Sequence, residues 1–97
     1  ARACRKFYTP PTQEIHWAGL AHQLSGSTLK LHWYADFPVY FGLWVDEGYY
    51  QQHTVVALEP TSGYYDSLKT AIEQKRVTWI EPDEKIEWNL EVELDQI

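Results

Sequence analysis

Between Lys85 and Leu94 apolar and polar residues alternate without a break. Ile86, Trp88, Leu90, Val92 and Leu94 share one parity; Lys85, Glu87, Asn89, Glu91 and Glu93 share the other. Successive side chains of a strand point to opposite faces, so the pattern predicts a strand that covers a core and faces water. Segment 27–34, STLKLHWY, sets Leu29, Leu31 and Trp33 against Lys30, His32 and Tyr34. It predicts a second half-buried strand. Segment 38–46, PVYFGLWVD, is apolar almost throughout. Proline opens it and Asp-Glu-Gly closes it, as expected of a strand covered on both faces. Residues 54–59 and the run RVTWI, 76–80, predict two more strands.

One helix fits between these last two, over 65–75, YDSLKTAIEQK. Leu68, Ala71 and Ile72 stand at helical spacing, Asp66 suits an N-cap, and Lys75 near the end suits the helix dipole. EPDE, 81–84, reads as a turn. Pro10 and Pro11 set off a short N-terminal segment. The expected fold is mostly β: an antiparallel β-sandwich with one short helix, the strand and turn spacing favouring a sandwich over a small barrel.

At 97 residues the chain is one domain or a piece of one. It does not begin with Met, which suggests a piece of something longer. Aromatic residues make up 15%, enough to exclude disorder and suited to stacking on sugar C–H faces. The net charge of −6 argues against nucleic acid, which needs clustered Lys and Arg. The basic cluster Arg2, Arg5 and Lys6 reads as a solvated tail. A single cysteine, Cys4, forms no internal disulfide and points to a reducing, cytoplasmic setting. No run approaches the ~18 apolar residues of a membrane span. No phosphate loop, dinucleotide fingerprint, nucleophile elbow, HExxH or CxxC is present. His16, His22, His32 and His53 lack the short spacing of metal ligands, so neither a metal nor a cofactor is expected.

Glu59 ends an apolar strand and is followed at once by Pro60, which restricts it to extended geometry. It shares parity with Val55 and Ala57. With that face inward, burial of the carboxylate would raise its pKa toward the range of a general base. The other reading is a strand-end glutamate that is solvated or paired. His53 has the same parity, but six residues of strand put ~20 Å between them.

The stretches FPVYFGLWVDEG, VVALEPTSGYYDSLKTA and IEPDEKIEWNLEVEL, in this order and spacing, resemble the C-terminal part of the aldose 1-epimerase, or galactose mutarotase-like, family. ALEPTSGYYDSL is the most specific element, and the resemblance spans roughly Leu29 to Leu94. It implies a portion of a large β-sandwich that binds a small-molecule sugar and interconverts its anomers. Glu59 would be the base that takes the anomeric hydroxyl proton, and a histidine the acid that protonates the ring oxygen. The family's histidine motif has no counterpart here. The chain is therefore expected to be a C-terminal fragment, inactive alone, that self-associates or joins a missing N-terminal portion through uncovered apolar surface. The alternative is a non-catalytic carbohydrate-binding β-sandwich domain, with Trp44, Tyr49, Tyr50 and Tyr64 as stacking platforms; Trp44 and Tyr64 are the named candidates. A structural domain without a ligand is the third reading.

Overall fold

The computed structural model describes residues 3–50, 52–64 and 66–96. Its order is β1 (Cys4–Tyr8), β2 (Trp17–His22), β3 (Ser27–Tyr34), β4 (Tyr40–Glu47), β5 (Thr54–Thr61), α1 (Leu68–Glu73) and β6 (Asn89–Gln96). Two three-stranded sheets form, ordered β1-β4-β5 and β2-β3-β6. All pairings are antiparallel. The fold is a small β-sandwich-like arrangement with one short helix, as the periodicity predicts.

The sheets meet at Trp33. Its side chain is 1% exposed, stacks on Phe41 of β4 with ring centroids 5.6 Å apart, and donates its indole N–H to the carbonyl of Ile15 at 2.8 Å. A buried indole stays in place when its polar edge is satisfied, and here the partner comes from the loop before β2. Alternation puts Trp33 on the face of Leu29 and Leu31, so that face is turned toward the other sheet at this end. Pairing carries the same face across to Leu90, Val92 and Leu94 of β6. Exposure along β6 rises away from Trp33, from 52% at Leu90 to 57% at Val92 and 76% at Leu94. The most regular pattern in the sequence therefore marks an apolar face that lies largely open, rather than one that covers a core.

β4 is the central strand of its sheet, with Gly42 and Asp46 buried and the rest half-buried. The Asp46 carboxylate accepts the backbone N–H groups of Tyr49 at 2.7 Å and Tyr50 at 3.1 Å. A carboxylate with two such donors is stable out of water, and it fixes the turn that Gly48 enters at φ 94.

Several expected boundaries shift. The run 76–80 is not a strand. It is tied to the 62–64 turn by single bonds, from Tyr64 N–H to the Arg76 carbonyl and from Thr78 Oγ1 to the Ser62 carbonyl, and no ladder forms. The last strand starts at Asn89, because Tyr34, its partner in register, ends β3, and it continues to Gln96 opposite Ser27. EPDE does turn, with the Glu84 N–H bonded to the Glu81 carbonyl at 3.0 Å.

The helix is shorter than 65–75, and Tyr65 lies outside the described residues. Its N-cap is Ser67, whose hydroxyl accepts from the Thr70 N–H. Asp66, the expected cap, stands outside the helix at φ 64. Lys75 lies past the C-cap rather than in the last turn. It holds the left-handed position of a Schellman closure, with Lys75 N–H bonded to the Ile72 carbonyl and Arg76 N–H to the Ala71 carbonyl.

Two strands were not foreseen. The basic segment expected as a tail is β1, paired from Cys4↔Asp46 to Tyr8↔Gly42; Arg2 lies outside the described residues. β2, WAGLAH, pairs with β3. Neither shows a clean apolar alternation, since β1 carries Arg5 and Lys6 side by side and β2 is built partly from Ala and Gly.

Candidate functional site

Residues directly opposite in an antiparallel pair share a face. Glu59 pairs with Gly42, and Gly42 with Tyr8. One pleat along, Ala57 pairs with Trp44, and Trp44 with Lys6. Tyr8, Glu59, Lys6 and Trp44 therefore sit on one face of the β1-β4-β5 sheet. It is the face opposite Phe41 and Leu43, and so opposite the join with the other sheet. The chain leaving β5 turns back over it, through the 62–64 turn and α1, whose Ala71 is buried.

Between sheet and helix lies a cleft of about 480 Å³. Lys6, Glu59, Ser62, Tyr64, Asp66 and Ser67 supply its polar and aromatic wall. Glu59 is exposed within it, so the buried carboxylate anticipated from its parity is replaced by one at an open cleft. The Tyr64 ring packs against Tyr8 and Tyr40, at 6.1 and 5.6 Å between centroids. Trp44 is half-buried, donates its indole N–H to the Cys4 sulfur at 2.7 Å, and does not line the cleft. Tyr49 and Tyr50 lie in the turn after β4, edge to face with each other.

The electrostatic centre is Asp66. Its left-handed backbone turns the carboxylate back to β1, where Lys6 Nζ donates to Oδ1 at 3.0 Å and the Tyr8 hydroxyl donates to Oδ2. The Tyr8 bond and then the Lys6 bond hold the Asp66 carboxyl below its ordinary range. Tyr8 is pushed up to about 12, by burial first and then by its bond to Asp66 and the negative charges of Asp66 and Glu59. Lys6 is raised through its hydrogen bond to Asp66 and that residue's charge, with a smaller contribution from Glu59. At neutral pH the cluster thus presents an ammonium, an Asp66 carboxylate and a protonated phenol.

None of the histidines joins this cleft among the described residues. His22 bonds Ser25 within its turn. His32 stacks on Trp17 and lies 3.6 Å from the Glu93 carboxylate on the outer face of the other sheet. His53 is exposed just before β5. His16 lines a separate cavity of about 630 Å³ beside Trp33, Phe37, Tyr40 and Arg76. Among the described residues no group of three or more His, Cys, Asp or Glu is placed to hold a metal ion. No helix among them is long and apolar enough to cross a membrane.

The structure brings Glu59 and Tyr64 together and adds Lys6, Tyr8 and Asp66. No local signal announces Lys6 and Tyr8, because their convergence on the cleft depends on β1 pairing with β4; Asp66 lies in the same stretch as Glu59 but reads as a helix cap. No family model matches the chain, and no curated protein or solved structure gives a significant match.

Proposed function

We propose that the cleft around Glu59 binds a small sugar, and that Glu59 is the general base of an aldose 1-epimerase-like interconversion of anomers. The observation that carries this reading is that Glu59 shares an open cleft with Lys6, Asp66, Ser62 and Tyr64. The carboxylates accept hydrogen bonds from sugar hydroxyls, the ammonium donates to them, and the tyrosine offers an apolar edge. A volume near 480 Å³ falls within the ~300–1,000 Å³ typical of small-ligand sites. Lys6 is the one cation of the lining among the described residues, against Glu59 and Asp66. Lys69, Lys75 and Arg76 do not line it. That balance favours a neutral sugar over a phosphorylated one.

As base, Glu59 takes the proton of the anomeric hydroxyl, the ring opens, and C1 turns before closure returns the proton. An exposed carboxylate reaches a bound hydroxyl directly. The ring oxygen needs a proton donor as well. The absence of histidine from the described lining favours a second reading, a non-catalytic carbohydrate-binding domain using the same cleft. A cytoplasmic setting is supported by the free thiol of Cys4.

Polarimetry of freshly dissolved glucose and galactose, run on the longer protein expected to contain this chain, with Glu59 intact and as Glu59→Gln, tests the catalytic claim. Acceleration that disappears in the variant, with far-UV circular dichroism unchanged, supports it. Equal acceleration in both removes Glu59 from the mechanism. No acceleration in either, with sugar still bound, selects the second reading.

A further inference from the structure

We propose that the cavity of about 630 Å³ beside Trp33 is a binding site for a free aromatic α-amino acid. It shares no lining residue with the Glu59 cleft, so the proposal stands apart from the sugar reading. Its volume falls within the ~300–1,000 Å³ of small-ligand sites. Its walls come from the loop before β2, the 35–39 loop between β3 and β4, the start of β4, and Arg76.

These walls are tied in place. The Thr9 N–H donates to the Phe41 carbonyl at 3.1 Å and the Trp33 N–H to the His16 carbonyl at 3.0 Å, which holds the loop before β2 at both ends. Phe37 packs edge-on against Trp88, with ring centroids 5.9 Å apart. Arg76 is held by its backbone: its N–H donates to the Ala71 carbonyl at 2.8 Å, and its carbonyl accepts from the Tyr64 N–H at 3.0 Å. A site ordered in advance loses little conformational freedom on binding.

Charge selects the ligand class. Arg76 is the one Lys or Arg of the lining among the described residues, against Glu14 and Asp36. It is half-buried, and among the described residues its guanidinium enters no hydrogen bond or ion pair. A cation partly withdrawn from water is stabilised by a counter-charge, and the guanidinium fork matches a carboxylate. Glu14 and Asp36 are exposed and form no ion pair with Arg76. Opposite charges that line one cavity without closing on each other suit a ligand that carries both. An anion alone would face two carboxylates, and an amine alone would face Arg76. A zwitterion sets its carboxylate on Arg76 and its ammonium toward Glu14 or Asp36. Phe37, Val39 and Tyr40 supply the apolar remainder, and rings of this kind favour an aromatic side chain.

An amide-resolved NMR titration of the full chain with L-phenylalanine at neutral pH tests the proposal. Hydrocinnamate, which lacks the ammonium, and phenethylamine, which lacks the carboxylate, are titrated beside it. The expected result is saturable shifts at 12–16, 35–37 and Arg76, with Lys6 and Glu59 unmoved. Each truncated analogue should bind at least ~10-fold more weakly, the size of one charge-assisted hydrogen bond. Arg76→Gln should weaken phenylalanine by a similar factor without weakening phenethylamine. If that variant fails to fold, the paired Glu14→Gln and Asp36→Asn substitutions on exposed loops decide; they should weaken phenylalanine and not hydrocinnamate. The absence of saturable shifts, shifts confined to another surface, or an analogue that binds as tightly as phenylalanine overturns the proposal. So does phenylalanine binding that is unchanged in the folded charge variant.

Discussion

The two sheets have equal strand number and the same antiparallel pairing, but they carry different numbers of layers. In β1-β4-β5 the inner face meets Trp33, and the outer face is roofed by the 62–64 turn and α1. In β2-β3-β6 the outer face carries Lys30, His32, Glu91 and Glu93, and the inner face, buried at Trp33, is left open along β6. A third layer is what turns a sheet surface into a cleft. The candidate chemistry lies where the chain folds back on its own sheet, and the incomplete burial lies where it does not.

The largest test of this contrast is Trp33→Ala, which removes the ring joining the sheets and leaves a cavity. It is expected to cost about 3–5 kcal/mol, read as a fall in the urea midpoint. A cost below ~1 kcal/mol, the size of one hydrogen bond, would mean that the sheets are not joined there. Asp46→Ala acts within the better-covered sheet alone. It strands the Tyr49 and Tyr50 N–H groups and is expected to cost about 1–3 kcal/mol in the same assay.

The Asp66 cluster gives a sharper, pH-dependent probe. The folded-state pKa of Asp66 is lowered, so its contribution is present above the unfolded value near 3.8 and is lost as pH falls through the folded one. Asp66→Asn should flatten the acid limb of stability against pH. For Tyr8 the sign is opposite. Its pKa is raised to about 12, so its contribution is full below 10 and declines as pH rises toward 12. Ultraviolet titration should show a late phenol step that Tyr8→Phe removes; the same step retained in the variant would assign it elsewhere. The smallest effect is expected at Lys75. A non-glycine residue at a left-handed C′ position carries a steric cost, so Lys75→Gly should stabilise by about 0.5–1 kcal/mol. A loss of stability would show that the lysine side chain contributes more than its backbone costs.

Strand periodicity made β3, β4 and β5 legible, because each joins a pattern to a partner of matching length. It placed β6 too early, since strand length is set by the partner: β3 stops at Tyr34 and Asn89 has nothing before it to pair with. It missed β1 because Arg5 and Lys6 read as solvent-facing, whereas central β4 accepts that segment along its free edge. The site follows the same rule. Glu59 and Tyr64 belong to one continuous stretch and were visible together. Lys6 and Tyr8 are about fifty residues away in sequence, and only the register of β1 on β4 brings them across from Glu59. Asp66 reads as a cap because Asp suits caps; its positive φ sends the carboxylate to β1 and leaves the cap to Ser67.

The central claim is that the Glu59 cleft is a sugar site, and an amide-resolved NMR titration with glucose and galactose tests it most directly. The account predicts saturable shifts at Lys6, Glu59, Thr61 to Tyr64 and Asp66, weakened by Glu59→Gln, with the outer face of β2-β3-β6 unmoved. Shifts confined to another surface, or none at the cleft as sugar is raised to high concentration, would contradict it.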